Sequence, residues 1–246
     1  MKLATQFLAA STLALAVGSA FAVDGVANIK IKGKIGIGSC TISSTTPDNT
    51  VTYDMIAKNS LTRESNPIGT RNMTLTVDCS AITGIKIYSQ DAAIAGLTGA
   101  PSNADFQFST GGTMSVSNVD SYNLAATNAS AATEKKIVGK YVMKASDIKV
   151  TSGVSGETPL DATLVDSSTE SGFGSGASTN QYLTKTAEPY HKLALKSNAG
   201  TTAYGKTFVI PVEIATSLVK NTSLPTPATG DDLEFEGVAT LTVSVL

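Results

Sequence analysis

Apolar and polar residues alternate along much of this chain with a period of two, the mark of extended strands with one buried face. In Val26 to Ile42, VANIKIKGKIGIGSCTI, the residues Ala27, Ile29, Ile31, Ile35 and Ile37 take every second position, and Lys30, Lys32 and Lys34 take the other face. Gly33 breaks the row, which divides it into two strands joined at a flexible point. Thr50 to Asp54 alternates as well, and Asn72 to Cys79 does so strictly, with Met73, Leu75, Val77 and Cys79 on one face. The pattern predicts further strands over Ile85–Tyr88, Phe106–Phe108, Tyr190–Leu195 and Thr207–Ala215, and one long strand or a strand pair over Ile137–Val150. Tyr141, Met143 and Ile148 are core candidates in that last stretch. Pro211 cannot donate to a ladder, so its nitrogen must face an edge, a bulge or solvent. Leu233 to Val245 closes the chain as an apolar strand with Leu241, Val243 and Val245 on one face.

Turn chemistry separates these runs: Ser60–Gly69 with its Asn66-Pro67 pair, Thr83-Gly84, Thr222–Gly230, and the low-complexity Ser167–Thr179. Asn118 to Thr133 carries no period. No long segment repeats every 3.6 residues. Short strands at turn-punctuated intervals predict an all-β sandwich.

The first 22 residues stand apart. Lys2, the apolar run Phe7–Val17 and the small-x-small Ala20-Phe21-Ala22 form an export signal, which leaves a mature chain of 224 residues beginning at Val23. No later run of about twenty apolar residues exists to span a membrane. The expectation is an exported protein, not inserted in a membrane, large enough for a real core. Loss of Lys2 takes the formal charge from −2 to −3, with no basic run to neutralise phosphates, so no nucleic-acid partner is expected. Tryptophan is absent and Gly, Ser, Thr, Ala and Val dominate, which favours strands and turns. The only cysteines are Cys40 and Cys79. An even pair in an exported chain predicts one disulfide, whereas a metal or redox pair needs closer cysteines or histidine partners, and the one histidine is His191.

Candidate chemistry is sparse. Gly200-Thr-Thr-Ala-Tyr-Gly205-Lys206-Thr207 fits the phosphate-loop spacing, but that loop works at the start of a helix, and TFVIPVEIA is β-branched with a proline. His191 has no partner constellation, and no G-x-S-x-G elbow exists. Asp231, Asp232, Glu234 and Glu236 do not have calcium-loop spacing, and alternation puts Glu234 and Glu236 on a solvated strand face. No catalytic, cofactor or metal site is expected, and the chain is not expected to be an enzyme.

Taken in order, these pieces resemble a subunit of bacterial chaperone–usher pili, of an uncharacterised branch of fimbrial-type exported proteins. The likeness is carried by the alternating segment Ile29–Ile35 running to Cys40, by Met73–Cys79, by TFVIPVEIA, and by GVATLTVSVL at the end of the chain. It covers roughly residues 26–90 and 206–246. The resemblance implies an incomplete, pilin-type immunoglobulin-like β-sandwich over residues 33–246, with a long variable region at 91–205. Its last strand would be supplied by a partner. Residues 23–32 would be the donor-strand segment, filling a neighbour's groove with Ala27, Ile29 and Ile31. Leu241, Val243, Val245 and Leu246 would face the groove and the chaperone. The implied partners are a periplasmic pilus chaperone, an outer-membrane usher and neighbouring subunits, with passage through the periplasm to a cell-surface fimbrium. Val245 stands where such subunits carry a tyrosine, and the chain is longer than a shaft subunit. A tip adhesin or carbohydrate-binding protein using residues 91–205 against a host receptor or glycan is the alternative expectation.

Overall fold

A computed structural model describes residues 40–92, 104–110, 112–116, 120–130, 136–167, 181–183, 190–195, 198–228 and 232–246. The expected export signal (residues 1–22) and the expected donor segment (residues 23–32) lie outside them, as does nearly all of Ser167–Thr179. The described strands are β1 (Cys40–Ser44), β2 (Asn66–Thr83), β3 (Ile85–Asp91), β4 (Ala104–Phe108), β5 (Gly112–Val116), β6 (Tyr122–Ala126) and β7 (Ile137–Ala145). They continue with β8 (Ile148–Thr151), β9 (Leu160–Ser167), β10 (Tyr190–Leu195), β11 (Asn198–Thr202), β12 (Gly205–Leu218), β13 (Phe235–Glu236) and β14 (Ala239–Val245). The fold is an all-β sandwich.

Twelve of these strands form one antiparallel sheet, in the order β13-β6-β7-β12-β8-β9-β10-β3-β14, with β2 on the far edge of β12, β1 on β2, and β11 on β10. The sheet folds over because two strands run from one layer into the other. β2 continues into β3 through Gly84, and β7 continues into β8 through Ser146 and Asp147, the latter at φ 48°. β12 ties the layers together, pairing with β8 through Thr207–Val209 and with β7 through Val212–Leu218. Pro211 falls at the bend between those two pairings. Its carbonyl accepts the Ser146 N–H at 3.1 Å. In an antiparallel strand a residue's N–H and C=O face the same neighbour, so the missing donor falls where the ladder is already interrupted.

Alternation fills the core. Phe208, Ile210, Val212 and Ile214 of β12 meet Leu75, Val77, Ile85, Ile87, Leu164, Leu193, Leu241 and Val243, all buried. Each such side chain contributes roughly 1.5–3 kcal/mol of transfer free energy. The opposite face of β7 and β12 is covered too. There the β4–β5 hairpin lays Ala104, Phe106, Phe108 and Val116 over Val142, Ala215 and Tyr182. The hairpin is pinned by Ser109 N–H to Glu213 at 2.6 Å and by the Lys144 ammonium, 5.2 Å from the Phe108 ring centre.

The disulfide expected from the sequence is formed. Cys40 and Cys79 are directly opposed in the β1–β2 register, with Cα atoms 3.9 Å apart and a sequence separation of 39.

Several expected elements differ. Thr50–Asp54 is not a strand and pairs with none among the described residues. Its alternation records side-chain packing: Val51 rests on the core, the Tyr53 hydroxyl donates to the Ile214 carbonyl at 3.2 Å, and Arg71 Nε donates to the Thr52 carbonyl at 3.0 Å. The expected loop over Ser60–Gly69 ends early, because β2 already begins at Asn66. The buried Asn66 amide donates to the carbonyls of Arg63 and Leu218, and Gly69, at φ 101°, absorbs a register shift against Thr216 and Ser217. Thr83-Gly84 is a corner between layers rather than a hairpin turn. Asn118–Thr133 contains β6, which the sequence did not mark. Leu233–Val245 is broken at Gly237-Val238 into β13 and β14. The region 91–205, expected within the sandwich domain, supplies β6–β11 to the main sheet.

Closing a loop of this length by a disulfide removes about 4 kcal/mol of unfolded-chain freedom in the chain-entropy model. The double variant Cys40→Ala/Cys79→Ala should therefore lose about 2–4 kcal/mol in urea unfolding. Thiol titration of the oxidised wild type under denaturing conditions should find no free thiol.

Candidate functional site

The last strand has one strand neighbour among the described residues. β14 pairs with β3 from Ala239↔Asp91 to Val245↔Ile85, and nothing described pairs with its other edge. Leu241 and Val243 are buried in the core, while Val245 and Leu246 are half-buried. Thr242 and Ser244, opposite Tyr88 and Lys86, are buried on the other face. Of the four residues expected to line a groove, Leu241, Val243 and Val245 lie along β14, and Leu246 directly follows it. Two face the core outright, and Leu246 sits over the Gly84 corner.

β1 occupies the same edge of the continuous β2–β3 strand as β14 does. It pairs with Leu75–Cys79, and β14 with Ile85–Asp91. Both run antiparallel to that strand, so they point in one direction, end to end. Gly84 is required at the corner: a Cβ there would lie 2.7 Å from Thr202 Cγ2 and 3.2 Å from Leu246 Cδ1. The Leu246 N–H donates to the Gly84 carbonyl at 2.9 Å, which fixes the end of β14.

The beginning of β14 is set by a polar cluster inside the sandwich. The Tyr122 hydroxyl donates to the Leu183 carbonyl at 2.6 Å and accepts from Ser89. Asp91 accepts from the Asn123 backbone N–H at 3.0 Å and from its side-chain amide at 2.8 Å. Tyr141 stacks on Tyr122 with ring centres 5.1 Å apart. Burial raises the pKa of both phenols, so both stay neutral through the physiological range. Gly237 lies against this cluster. A Cβ on it would stand 2.5 Å from Tyr141 Cε1, 2.6 Å from Leu124 Cδ2 and 3.0 Å from the Asn123 carbonyl oxygen. Of this cluster only Tyr141 was expected in the core; the hydrogen-bonded set around it was not foreseen.

The remaining candidates are dispersed. Lys206 is exposed on β12 and is followed by strand, so the helix N-terminus that a phosphate loop needs is not built there. His191 lies on β10 opposite Ile87 and Asp166. Asp232, Glu234 and Glu236 are exposed. Among the described residues no group of three or more His, Cys, Asp or Glu side chains is placed to hold a metal ion. No helix among them is long and apolar enough to cross a membrane.

Residues 29–142 match the model of a family described as a protein of unknown function, DUF1120. The match begins within the alternating N-terminal segment and takes in both cysteines. No curated protein and no solved structure matches the chain.

Tyr141 and the Asn123 backbone cannot easily yield, so Gly237→Ala should cost about 1–3 kcal/mol, as overpacking does. Lys206→Ala, an exposed change, should stay within about 0.5 kcal/mol of wild type in the same thermal unfolding series.

Proposed function

We propose that this chain is a structural subunit of a bacterial surface fimbrium, joined to its neighbours by strand donation after capture by a periplasmic chaperone and delivery to an outer-membrane usher. The observation that carries the proposal is β14. It has a strand on one edge only among the described residues, and it turns Leu241 and Val243 into the core. An edge strand of this kind is a template for another chain's strand. Backbone pairing supplies affinity, and alternate side chains entering the core supply specificity.

The disulfide supports the reading by holding β1 to β2 beside that edge, so that a subunit lacking a strand keeps its remaining framework. The sequence supplies a matching donor. Ala27, Ile29 and Ile31 lie on one face of a segment that precedes the first described strand. Two isoleucines entering a neighbour's core contribute about 3–6 kcal/mol of apolar transfer.

An unpaired carboxylate placed in that groove is strongly disfavoured. Ile29→Asp and Ile31→Asp should therefore leave a folded, exported, chaperone-bound subunit that fails to enter polymers. Periplasmic abundance, chaperone co-purification and polymer content of these variants test the proposal. Loss of the subunit itself from the periplasm would show that the segment belongs to its own core and would contradict strand donation.

A further inference from the structure

The β4–β5 hairpin stands apart from the main sheet. Its strands pair with each other from Ala104↔Val116 to Phe108↔Gly112, and among the described residues neither pairs with any other strand. Ala104, Phe106, Phe108 and Val116 are buried with Val142, Ala215 and Tyr182, in a cluster separate from the core between the layers. Along β5, Gly112 to Ser115 are exposed.

Side chains take the place of a ladder in holding the hairpin down. The Ser65 hydroxyl accepts the Asp105 N–H at 2.7 Å and is itself hydrogen-bonded to the Ser217 hydroxyl at 2.8 Å. Toward the hairpin turn, Glu213 of β12, opposite Lys144 of β7, accepts the Ser109 N–H. Tyr182 contributes a ring contact with Phe108, centres 5.8 Å apart, and its hydroxyl donates to the Met114 sulfur at 3.8 Å.

We propose that this hairpin is a lid, which lifts as a unit from the outer face of β7 and β12 while the sandwich stays folded, and that Ser65 and Glu213 are the latches that hold it closed. Lifting breaks no pairing between the hairpin and the main sheet, and it opens no gap in the core between the layers. Elements with few buried apolar contacts open locally, at lower cost than the whole domain. The lifted hairpin keeps only its own two strands, and such a ladder is marginal in water, so the closed form predominates. Opening uncovers Phe106 and Phe108 on the lid, and Val142, Ala215 and Tyr182 beneath it. β14 takes no part, so the lid does not rest on strand donation.

The test is thiol labelling of the oxidised protein with N-ethylmaleimide. Its two cysteines are bonded to each other, so one introduced thiol is a clean reporter. Ala215→Cys reports from beneath the hairpin. Ala145→Cys, the same substitution in the core between the layers, is the control. Ala215→Cys should be labelled about a hundredfold faster than Ala145→Cys, because local opening suffices for the first and not for the second. Adding Ser65→Ala and Glu213→Ala should speed labelling at position 215 about tenfold further, the effect of roughly 1.4 kcal/mol, and leave position 145 unchanged. Equal rates at the two positions, or no response at 215 to loss of both latches, would overturn the proposal. Amide exchange of the unsubstituted protein reads the lid without a cysteine. The β4–β5 amides should lose protection at urea concentrations that leave β7 and β12 protected, and loss of all four strands together would equally overturn it.

Discussion

One continuous strand carries both layers of this protein. β2 and β3 run from Asn66 to Asp91 with a single break at Gly84, and the rest of the sandwich is placed by what pairs along their two edges. On one edge β12 pairs with β2 and β10 with β3; on the other, β1 and β14 follow one another. The corner works because position 84 has no Cβ. With one, the Thr202 side chain would have to move and the Leu246 side chain to give way slightly. The disulfide fastens β1 just before that corner, and the cluster of Tyr122, Asn123 and Asp91 fixes the far end of β14. Between them they hold β1 and β14 in place along this edge.

Sequence periodicity reported burial faithfully and pairing less so. In Met73–Cys79 and in β12 the two coincide, because one face meets the core and the strand has neighbours on both edges. Thr50–Asp54 shows the difference: Val51 and Tyr53 turn inward and Thr52 and Asp54 outward, yet the backbone is held by Arg71 and Ile214 rather than by a ladder. β6 shows the converse. Tyr122, Leu124, Ala125 and Ala126 are all buried and Asn123 is tied to Asp91, so no polar–apolar rhythm survives to be seen. The inner run of β7 is likewise buried on both faces, partly under the β4–β5 hairpin, whose packing partners are far away in sequence. For the candidate site, the alternation of Leu241, Val243 and Val245 and the cysteine pair were visible in the sequence. The Gly84 corner and the contact of Gly237 with Tyr141 were not, since both depend on residues brought together only by the fold.

Several buried polar groups serve the structure, as in Asn66 capping the entry to β2 and Tyr122 bridging Ser89 and Leu183, whereas Asn123 Oδ1 and the Tyr141 hydroxyl are buried without a hydrogen-bond partner. What remains distinctive is β14, which has an apolar inner face and one strand neighbour among the described residues, and, earlier in the sequence, the alternation of Ala27, Ile29 and Ile31.

The most direct test is amide hydrogen exchange along Ala239–Val245 in the isolated protein, before and after adding a synthetic peptide of residues 23–32. The account predicts that the peptide slows exchange along β14 and that its Ile31→Asp form does not. If saturating peptide leaves β14 unchanged, or if β14 is already as protected as the centre of β12 without it, strand donation to this edge is contradicted.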